Sequence, residues 1–377
     1  MKIVYCIAGT YNSGGMERVL ANKANYWVKH GHNVFIVTTE QKGRTPFFAL
    51  DERIKCYDLD IGYEDNNGSN FLKKLLQYPY KQFLHKRRLA RLLHTLKADI
   101  VVSMFCNETS FLPSIKDGSK KVLEIHFSKF KRLQYGRTGI WKWADKWRTY
   151  SDEGAVKRFH KFVVLTAEDA TYWGNLSNIS VIPNARTFSP MLISPLTEKK
   201  VIAIGRYSEQ KGFDRLIRIW AKVCEKRSDW HLDIVGHGEL KEQLQKQIVS
   251  LGMVSQITLK PSTKDVQQIY AQASILALTS RYEGLPMVLL EAQAFGLPIV
   301  SYACKCGPRD IVSHRENGYL IEEDREEEFV SALLSLMDNI EMRKNMGEKA
   351  LAASEQYAED IVMQRWEDLF INLLSMK

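Results

Sequence analysis

The sequence predicts an α/β protein of two Rossmann-like domains, each a parallel sheet wrapped by helices. Three observations carry this reading. Short apolar runs alternate with amphipathic, helix-length segments from one end of the 377-residue chain to the other. The alternation lapses once, in a proline-containing, pattern-poor stretch from Asn184 to Lys200, and then restarts. The length suits two domains, and 45% hydrophobic with 26% charged residues is ordinary globular composition, which excludes a disordered chain.

In order, the first-domain strands are Ile3 to Ala8, Val34 to Thr38, Ile100 to Phe105, Val122 to Phe127, Phe162 to Leu165 and Ile179 to Asn184. A helix from Gly15 to Lys29, stopped by Gly31, joins the first two. The second set is Val201 to Gly205, His231 to Gly236, Ile257 to Lys260, Ile275 to Leu278, Ile299 to Tyr302 and Tyr319 to Ile321. Helices such as Phe213 to Arg227, Leu240 to Leu251 and Phe329 to Met337 follow most of them. This places the first domain at residues 1–187 and the second at 188–357. The last segment, 358–377, carries Val362, Trp366, Leu369, Phe370 and Leu373 on a broad apolar face and is expected to return across the first domain.

No run is long enough to span a bilayer, and Met1 to Ala8 is too short an apolar run for a signal peptide. The six cysteines are scattered, and Cys304 and Cys306 lack a second ligand pair nearby, so all six read as reduced thiols of a cytoplasmic protein. The net charge of +9 is uneven: from Phe71 to Tyr150 basic residues outnumber acidic ones by roughly three to one. Lys73, Lys74, Tyr78, Tyr80, Lys81, Lys86, Arg87, Arg88 and Arg91 form one basic aromatic stretch. Lys129, Phe130, Lys131, Arg132, Trp141, Trp143, Trp147 and Arg148 belong to a second. Such surfaces suit an anionic membrane or a nucleic acid, and equally describe solvated helix faces with core aromatics.

The densest signal is Thr279 to Gly296. Gly284 gives a sharp turn, Pro286 opens a helix from about Met287 to Phe295, and Gly296 closes it. The N–H groups of Leu285, Met287 and Val288 then form an anion site beyond a strand end. Glu283 reaches a group in front of the helix tip and Glu291 one alongside, as a sugar diphosphate with a ribose would require. From spacing alone, a strand-ending Glu283 and a solvated Glu291 fit as well.

Arg206 and Lys211, in Gly205-Arg206-Tyr207-Ser208-Glu209-Gln210-Lys211-Gly212, leave a strand end and precede a helix, where two cations suit a departing diphosphate. A surface ion-pair network is the alternative. Gly9 to Met16 has P-loop-like glycine spacing without the Lys-Ser/Thr, so Gly14 and Gly15 offer close backbone approach or a plain turn. Gly236-His237-Gly238 is a weaker backbone-approach pattern beside a nucleotide base. His126 ends a strand in an apolar setting. Asp58-Leu-Asp60 has the Asp-x-Asp form of metal-dependent sugar transferases, but it ends a strand-like run and reads as coincidence.

Taken together, Gly14-Gly15-Met16-Glu17, His126, Gly205-Arg206 with Gln210-Lys211-Gly212, Gly236-x-Gly238 and Glu283-Gly-Leu-Pro-Met-Val-Leu-Leu-Glu291 resemble glycosyltransferase family 4, the retaining group 1 transferases. Cys306-Gly-Pro-Arg-Asp-Ile-Val312 is similar to a segment common in bacterial members that build surface polysaccharides.

The resemblance implies a GT-B fold, with two domains facing across a cleft and a nucleotide diphosphate sugar, UDP most often, as donor substrate. Arg206 and Lys211 would hold the diphosphate and Glu291 the ribose. The backbone from Gly284 through Leu285, Pro286 and Met287 to Val288 would hold phosphate and sugar, Glu283 the sugar hydroxyls, and His126 the sugar from the other domain. Gly14 and Gly15 would line the phosphate and acceptor side. It further implies no required cofactor or metal, while the basic aromatic stretches point to transfer onto a lipid-linked saccharide or growing glycan by a cytoplasmic enzyme at the inner face of the cell membrane. An epimerase or phosphorylase on the same plan is the enzymatic rival. A basic nucleic-acid-binding protein is the remote one, and it leaves Glu283 and Glu291 without a task.

Overall fold

The computed structural model describes residues 1–66, 71–130, 149–190, 192–263 and 265–376. The chain divides into two compact units. One comprises Met1–Leu165, Ala170–Ile182 and Met363–Lys377, and the other Thr166–Asp169 and Pro183–Val362.

The first unit is built on seven strands: β1 (Lys2–Ile7), β2 (Asn33–Thr38), β3 (Lys55–Asp58), β4 (Ile100–Ser103), β5 (Lys120–Glu124), β6 (Lys161–Val164) and β7 (Ile179–Val181). All neighbours are parallel, in the order β3-β2-β1-β4-β5-β6-β7. Val4 pairs with Phe35 on one side and Val101 on the other, and all three are buried because helices cover both faces. β3 coincides with the strand-like run read as ending at Asp58-Leu-Asp60. Lys55–Asp58 is an edge strand with largely exposed residues, so it lacks the apolar run that marks the central ones.

The helix Gly15–Lys29 starts and stops where its glycines require, with His30 as cap and Gly31 at φ +82°. Leu89 and Leu93 of the helix Phe71–Leu96 pack into a core with Val4, Val101, Leu123 and Phe162. Trp366 and Phe370 of the last helix, Glu359–Ser375, are buried in this unit, with Phe370 5.7 Å from Trp27 between ring centroids.

The second unit has β8 (Lys200–Ile204), β9 (His231–Val235), β10 (Ile257–Lys260), β11 (Ile275–Leu278), β12 (Ile299–Tyr302) and β13 (Gly318–Ile321). They are parallel in the order β10-β9-β8-β11-β12-β13. Trp220, Leu216, Leu232, Ile234, Leu333 and Leu336 lie in its core, and each such side chain contributes roughly 1.5–3 kcal/mol by leaving water.

In both sheets the strand order reverses beside the first strand, at β1/β4 and at β8/β11, which opens a crevice at the carboxyl ends. The loops after β8, β9 and β11 converge there in the second unit. Among the described residues no helix is long and apolar enough to cross a membrane.

Candidate active site

Two loops of the second unit are stitched together at the carboxyl ends of β8 and β11. After β8 the chain makes a tight 3-10 turn, Glu209–Lys211, and leaves through Gly212 at φ +62°. Only glycine fits there, since a Cβ would stand 2.2 Å from the Thr279 carbonyl oxygen. The Thr279 hydroxyl donates to the Gly212 carbonyl (3.0 Å), Arg281 N–H to the Gln210 carbonyl (2.7 Å) and Gln210 Nε2 to the Tyr282 carbonyl (2.9 Å). Arg281 completes the seam with a fork onto both Asp214 oxygens, at 3.0 and 2.8 Å.

This seam brings Lys211 Nζ to 2.7 Å from Glu283 Oε1, with side chains 17% and 7% exposed. The backbone of Glu283 is fixed separately: its N–H donates to the Lys305 carbonyl (2.7 Å), and Cys306 N–H donates to its carbonyl (3.2 Å). The Cys306–Val312 segment thus underlies the site. Gly307, at φ +98°, packs so close to Pro286 that a Cβ would lie 2.5 Å from its Cδ.

The helix Met287–Ala294 begins after Pro286, whose carbonyl takes the Leu289 N–H (2.9 Å). The N–H groups of Leu285, Met287 and Val288 have no acceptor among the described residues. They therefore present partial positive charge next to the Glu283–Lys211 pair. Arg206 is exposed, two residues past β8, and pairs with no carboxylate among the described residues.

Glu291 is not a solvated helix residue. It is buried, its Oε1 accepting the Thr187 hydroxyl and its Oε2 the Tyr270 hydroxyl, both at 2.7 Å. Tyr270 stacks on Phe295, and Phe188 packs on both rings, so the stretch read as a linker delivers Thr187 to this carboxylate.

Gly236 and Gly238 are demanded by chain packing. A Cβ on Gly236 would lie 1.9 Å from the Gly205 carbonyl oxygen, and one on Gly238 2.5 Å from that of Tyr207. The glycines let the loops after β8 and β9 lie against each other, tied by Tyr207 N–H to the His237 carbonyl (2.7 Å).

In the first unit, Gly14 caps the helix Gly15–Lys29 in an extended conformation. The Glu17 carboxylate folds over it, 2.2 Å from where a Gly14 Cβ would stand, while Gly15 faces open space. An acid in the first turn already meets the helix dipole there, so this end is less of an anion site than its glycines suggest.

His126 does not end a strand in apolar surroundings. β5 stops at Glu124, and His126 lies two residues on with Nε2 3.2 Å from Glu124 Oε1. Glu124 in turn takes two bonds from Lys23 Nζ, at 2.8 and 2.7 Å. Burial alone would raise the Glu124 carboxyl, but the Lys23 ammonium and the His126 ring beside it hold it down to about 2.

Asp58 caps its own neighbourhood, accepting from Lys42 N–H, the Thr38 hydroxyl and Asp60 N–H at 2.8–3.2 Å. No group of three or more His, Cys, Asp or Glu side chains able to hold a metal occurs among the described residues. Cys304 and Cys306 are buried thiols outside any disulfide among the described residues, and the Cys306 thiol donates to Asp169 Oδ1 at 3.6 Å. Of the basic aromatic stretches, the side chains of Lys73 and Lys74, and all of Lys131, Arg132, Trp141, Trp143, Trp147 and Arg148, lie outside the described residues.

Sequence reasoning missed Lys23 and Glu124, although residues two apart at a strand end share a face and Glu124-x-His126 shows that spacing. It also missed Arg281 with Asp214, and Thr187 with Tyr270. No sequence signal links those pairs, because each joins segments far apart in the chain.

Comparison with known proteins gives a consistent picture. Residues 186–352 match the family described as glycosyl transferases group 1, and residues 13–186 match glycosyltransferase family 4. An uncharacterized glycosyltransferase of Haemophilus influenzae is 33% identical over 98% of this chain and 99% of its own. The amylovoran biosynthesis glycosyltransferase AmsD of Erwinia amylovora is 32% identical over the same shares. Among solved structures, a mutant TarM of S. aureus in complex with fondaparinux, alpha-GlcNAc-glycerol and UDP superposes with a TM-score of 0.76 at 19% identity, covering 98% of this chain and 99% of that one.

Proposed function

Because the chain belongs to the group 1 glycosyl transferases and has the GT-B fold of a hexosyltransferase, we propose that it moves a hexose or N-acetylhexosamine from UDP to a hydroxyl of a lipid-linked or growing surface glycan. Transfer keeps the anomeric configuration and needs no divalent metal. The observation that carries this reading is the Lys211–Glu283 pair held at the open tip of the helix Met287–Ala294.

Lys211 and Arg206 neutralise the diphosphate as the glycosidic bond breaks, and the N–H groups of Leu285, Met287 and Val288 hold its oxygens. Glu283 binds hydroxyls of the transferred sugar, and its ion pair fixes the carboxylate before the substrate arrives. Glu291, oriented by Thr187 and Tyr270, takes the ribose. The acceptor hydroxyl attacks the face the phosphate leaves, and the departing phosphate oxygen takes its proton. The carboxylate nearest this chemistry is tied to Lys211, an arrangement that suits binding better than covalent attack.

Peripheral contact with an anionic bilayer is part of the proposal. On the helix Phe71–Leu96, Tyr80 and Phe83 are 66% and 62% exposed, beside exposed Lys86, Arg87 and Arg91. Retention on anionic liposomes at low salt supports it, and failure to sediment with them removes it.

The deciding experiment is a thermal-shift screen with UDP-glucose, UDP-galactose, UDP-GlcNAc and UDP-GalNAc, since a ligand of the folded form raises the melting temperature. At least one should do so, and without acceptor the sugar should be recovered unchanged apart from slow hydrolysis. A conversion of one UDP-sugar to another would replace this reading with an epimerase. No shift with any of the four would overturn the UDP assignment.

A further inference from the structure

The helix Phe71–Leu96 grips the loop after β3 along one edge. Lys81 Nζ donates to the Gly62 carbonyl, and Arg88 Nη1 to the carbonyls of Leu59 and Asp60, the latter at 2.9 Å. Between helix and loop lies an open groove of about 360 Å³, lined on the helix side by Arg88, Arg91 and Thr95 and on the loop side by Asp58 and Asp60. All of it belongs to the first unit.

Opposite charges line this groove without neutralising each other. The Asp58 carboxylate is occupied by Lys42 N–H, the Thr38 hydroxyl and Asp60 N–H. The Asp60 carboxylate and the Arg91 guanidinium belong to exposed residues, and among the described residues neither group has a hydrogen bond or an ion pair. An acid and a guanidinium that share a groove and do not meet leave room for a ligand that carries both charges, its cation toward Asp60 and its anion toward Arg91 and Arg88. A simple anion would have to face Asp60, and a simple cation both arginines. Helix periodicity then indicates what that ligand is attached to. Tyr80, Phe83, Arg87 and Arg91 follow at i, i+3, i+7 and i+11 on one exposed stripe, so the groove adjoins the aromatic surface that suits a bilayer interface.

We propose that this groove binds a phospholipid headgroup that joins a phosphodiester to a primary ammonium, as in phosphatidylethanolamine. Arg91 and Arg88 take the phosphodiester oxygens, and the ammonium donates its N–H groups to Asp60. A trimethylammonium has no N–H to give and is bulkier, so a choline headgroup gains little from Asp60. This rests on the peripheral bilayer contact proposed above, and it adds a choice among headgroups that net charge cannot make.

The test is sedimentation of the full chain with vesicles of one part phosphatidylglycerol to three parts of either phosphatidylethanolamine or phosphatidylcholine. Anionic charge is then equal, and the partition coefficient should be roughly fivefold higher on the ethanolamine vesicles. Asp60→Asn separates headgroup recognition from bulk electrostatics, because the two predict opposite signs. Loss of a negative charge should raise binding to the choline vesicles severalfold, yet the ethanolamine preference should vanish. Asparagine suits the backbone there, at φ +46°, so the loop is kept. Arg91→Gln should lower binding to both vesicles and erase the preference as well. A preference that survives either substitution comes from vesicle packing and overturns the headgroup site. Equal binding of the unaltered protein to both vesicles overturns it too and leaves the bilayer contact standing, whereas retention on neither removes both.

Discussion

Glu108 and Glu124 are both 1% exposed, just past the end of β4 and at the end of its neighbour β5, yet their carboxyls are shifted in opposite directions from the ordinary value. Burial pushes the Glu108 carboxyl up to about 7, against hydrogen bonds such as that from the Ser103 hydroxyl. Glu124, in contact with the Lys23 ammonium, is held down to about 2. Depth is the same, so the partner decides: a hydroxyl offers a dipole, whereas an ammonium returns much of the lost hydration of the anion. Glu283, with Lys211 at 2.7 Å, is arranged like Glu124, and Glu291, with two hydroxyls, has a partner set closer to that of Glu108.

The largest effect that bears on this contrast is on turnover. Lys211→Ala removes a cation from the departing diphosphate and leaves Glu283 buried without it. We expect transfer to fall by about a hundredfold or more, with far-ultraviolet circular dichroism unchanged. Glu283→Ala should lose transfer comparably while still binding UDP. Initial rates near those of the unaltered enzyme in either variant would remove the pair from the catalytic site.

Next in size is the stability of the first unit. Glu124→Gln strands the Lys23 ammonium in the core, which costs about 3–5 kcal/mol, and adding Lys23→Met should restore most of it. Urea titration of the three variants reads this directly, and an additive double variant would show that the two charges do not depend on each other. The folded carboxyl of Glu124 lies below its unfolded value of 4.5, so its contribution is complete above that pH and lost as pH falls toward 2.

How far these features were legible in the chain depends on the range over which each is encoded. The helix Met287–Ala294 was legible because Pro286 and Gly296 punctuate it locally, and the central strands because both faces are buried. Edge strand Lys55–Asp58 was legible only as a strand-like run ahead of Asp58-Leu-Asp60, since an exposed edge needs no apolar run. The close approach of the chain to Gly236 and Gly238 was not legible, since it involves the loop after β8, about thirty residues upstream. His126 was misread as apolar because its neighbours in sequence, Ile125 and Phe127, are apolar, while its neighbours in space are Glu124 and, through it, Lys23, a hundred residues upstream. Tertiary ion pairs leave no periodic trace.

A smaller effect follows from the other side of the contrast. Glu108 binds its proton more tightly folded than unfolded, so its share of stability is complete below pH 4.5 and is lost as pH rises through about 7. Glu108→Gln has no proton to lose. Relative to the unaltered protein, the variant should gain stability between pH 5 and pH 8, by about 1–3 kcal/mol at the upper end. Parallel pH profiles of the urea midpoint would show the two curves converging in acid, and curves that stay parallel would mean that Glu108 is ionised across the whole range.

The smallest expected effect tests Glu291. Tyr270→Phe deletes the hydroxyl that Oε2 accepts at 2.7 Å and keeps the ring, which is stacked on Phe295 with centroids 5.4 Å apart and planes 20° from parallel. Packing is preserved, so what changes is the orientation of the carboxylate, with Thr187 still bound to Oε1. One such bond contributes about 0.5–1.5 kcal/mol, which corresponds to a loss of roughly twofold to tenfold in UDP affinity by titration calorimetry. Uridine, which keeps the ribose and lacks the diphosphate, should weaken by the same factor, whereas inorganic pyrophosphate should not respond. If pyrophosphate weakens along with UDP, Glu291 acts on the helix tip instead of the ribose, and the hydroxyl-held glutamate belongs with Lys211 and Glu283 after all.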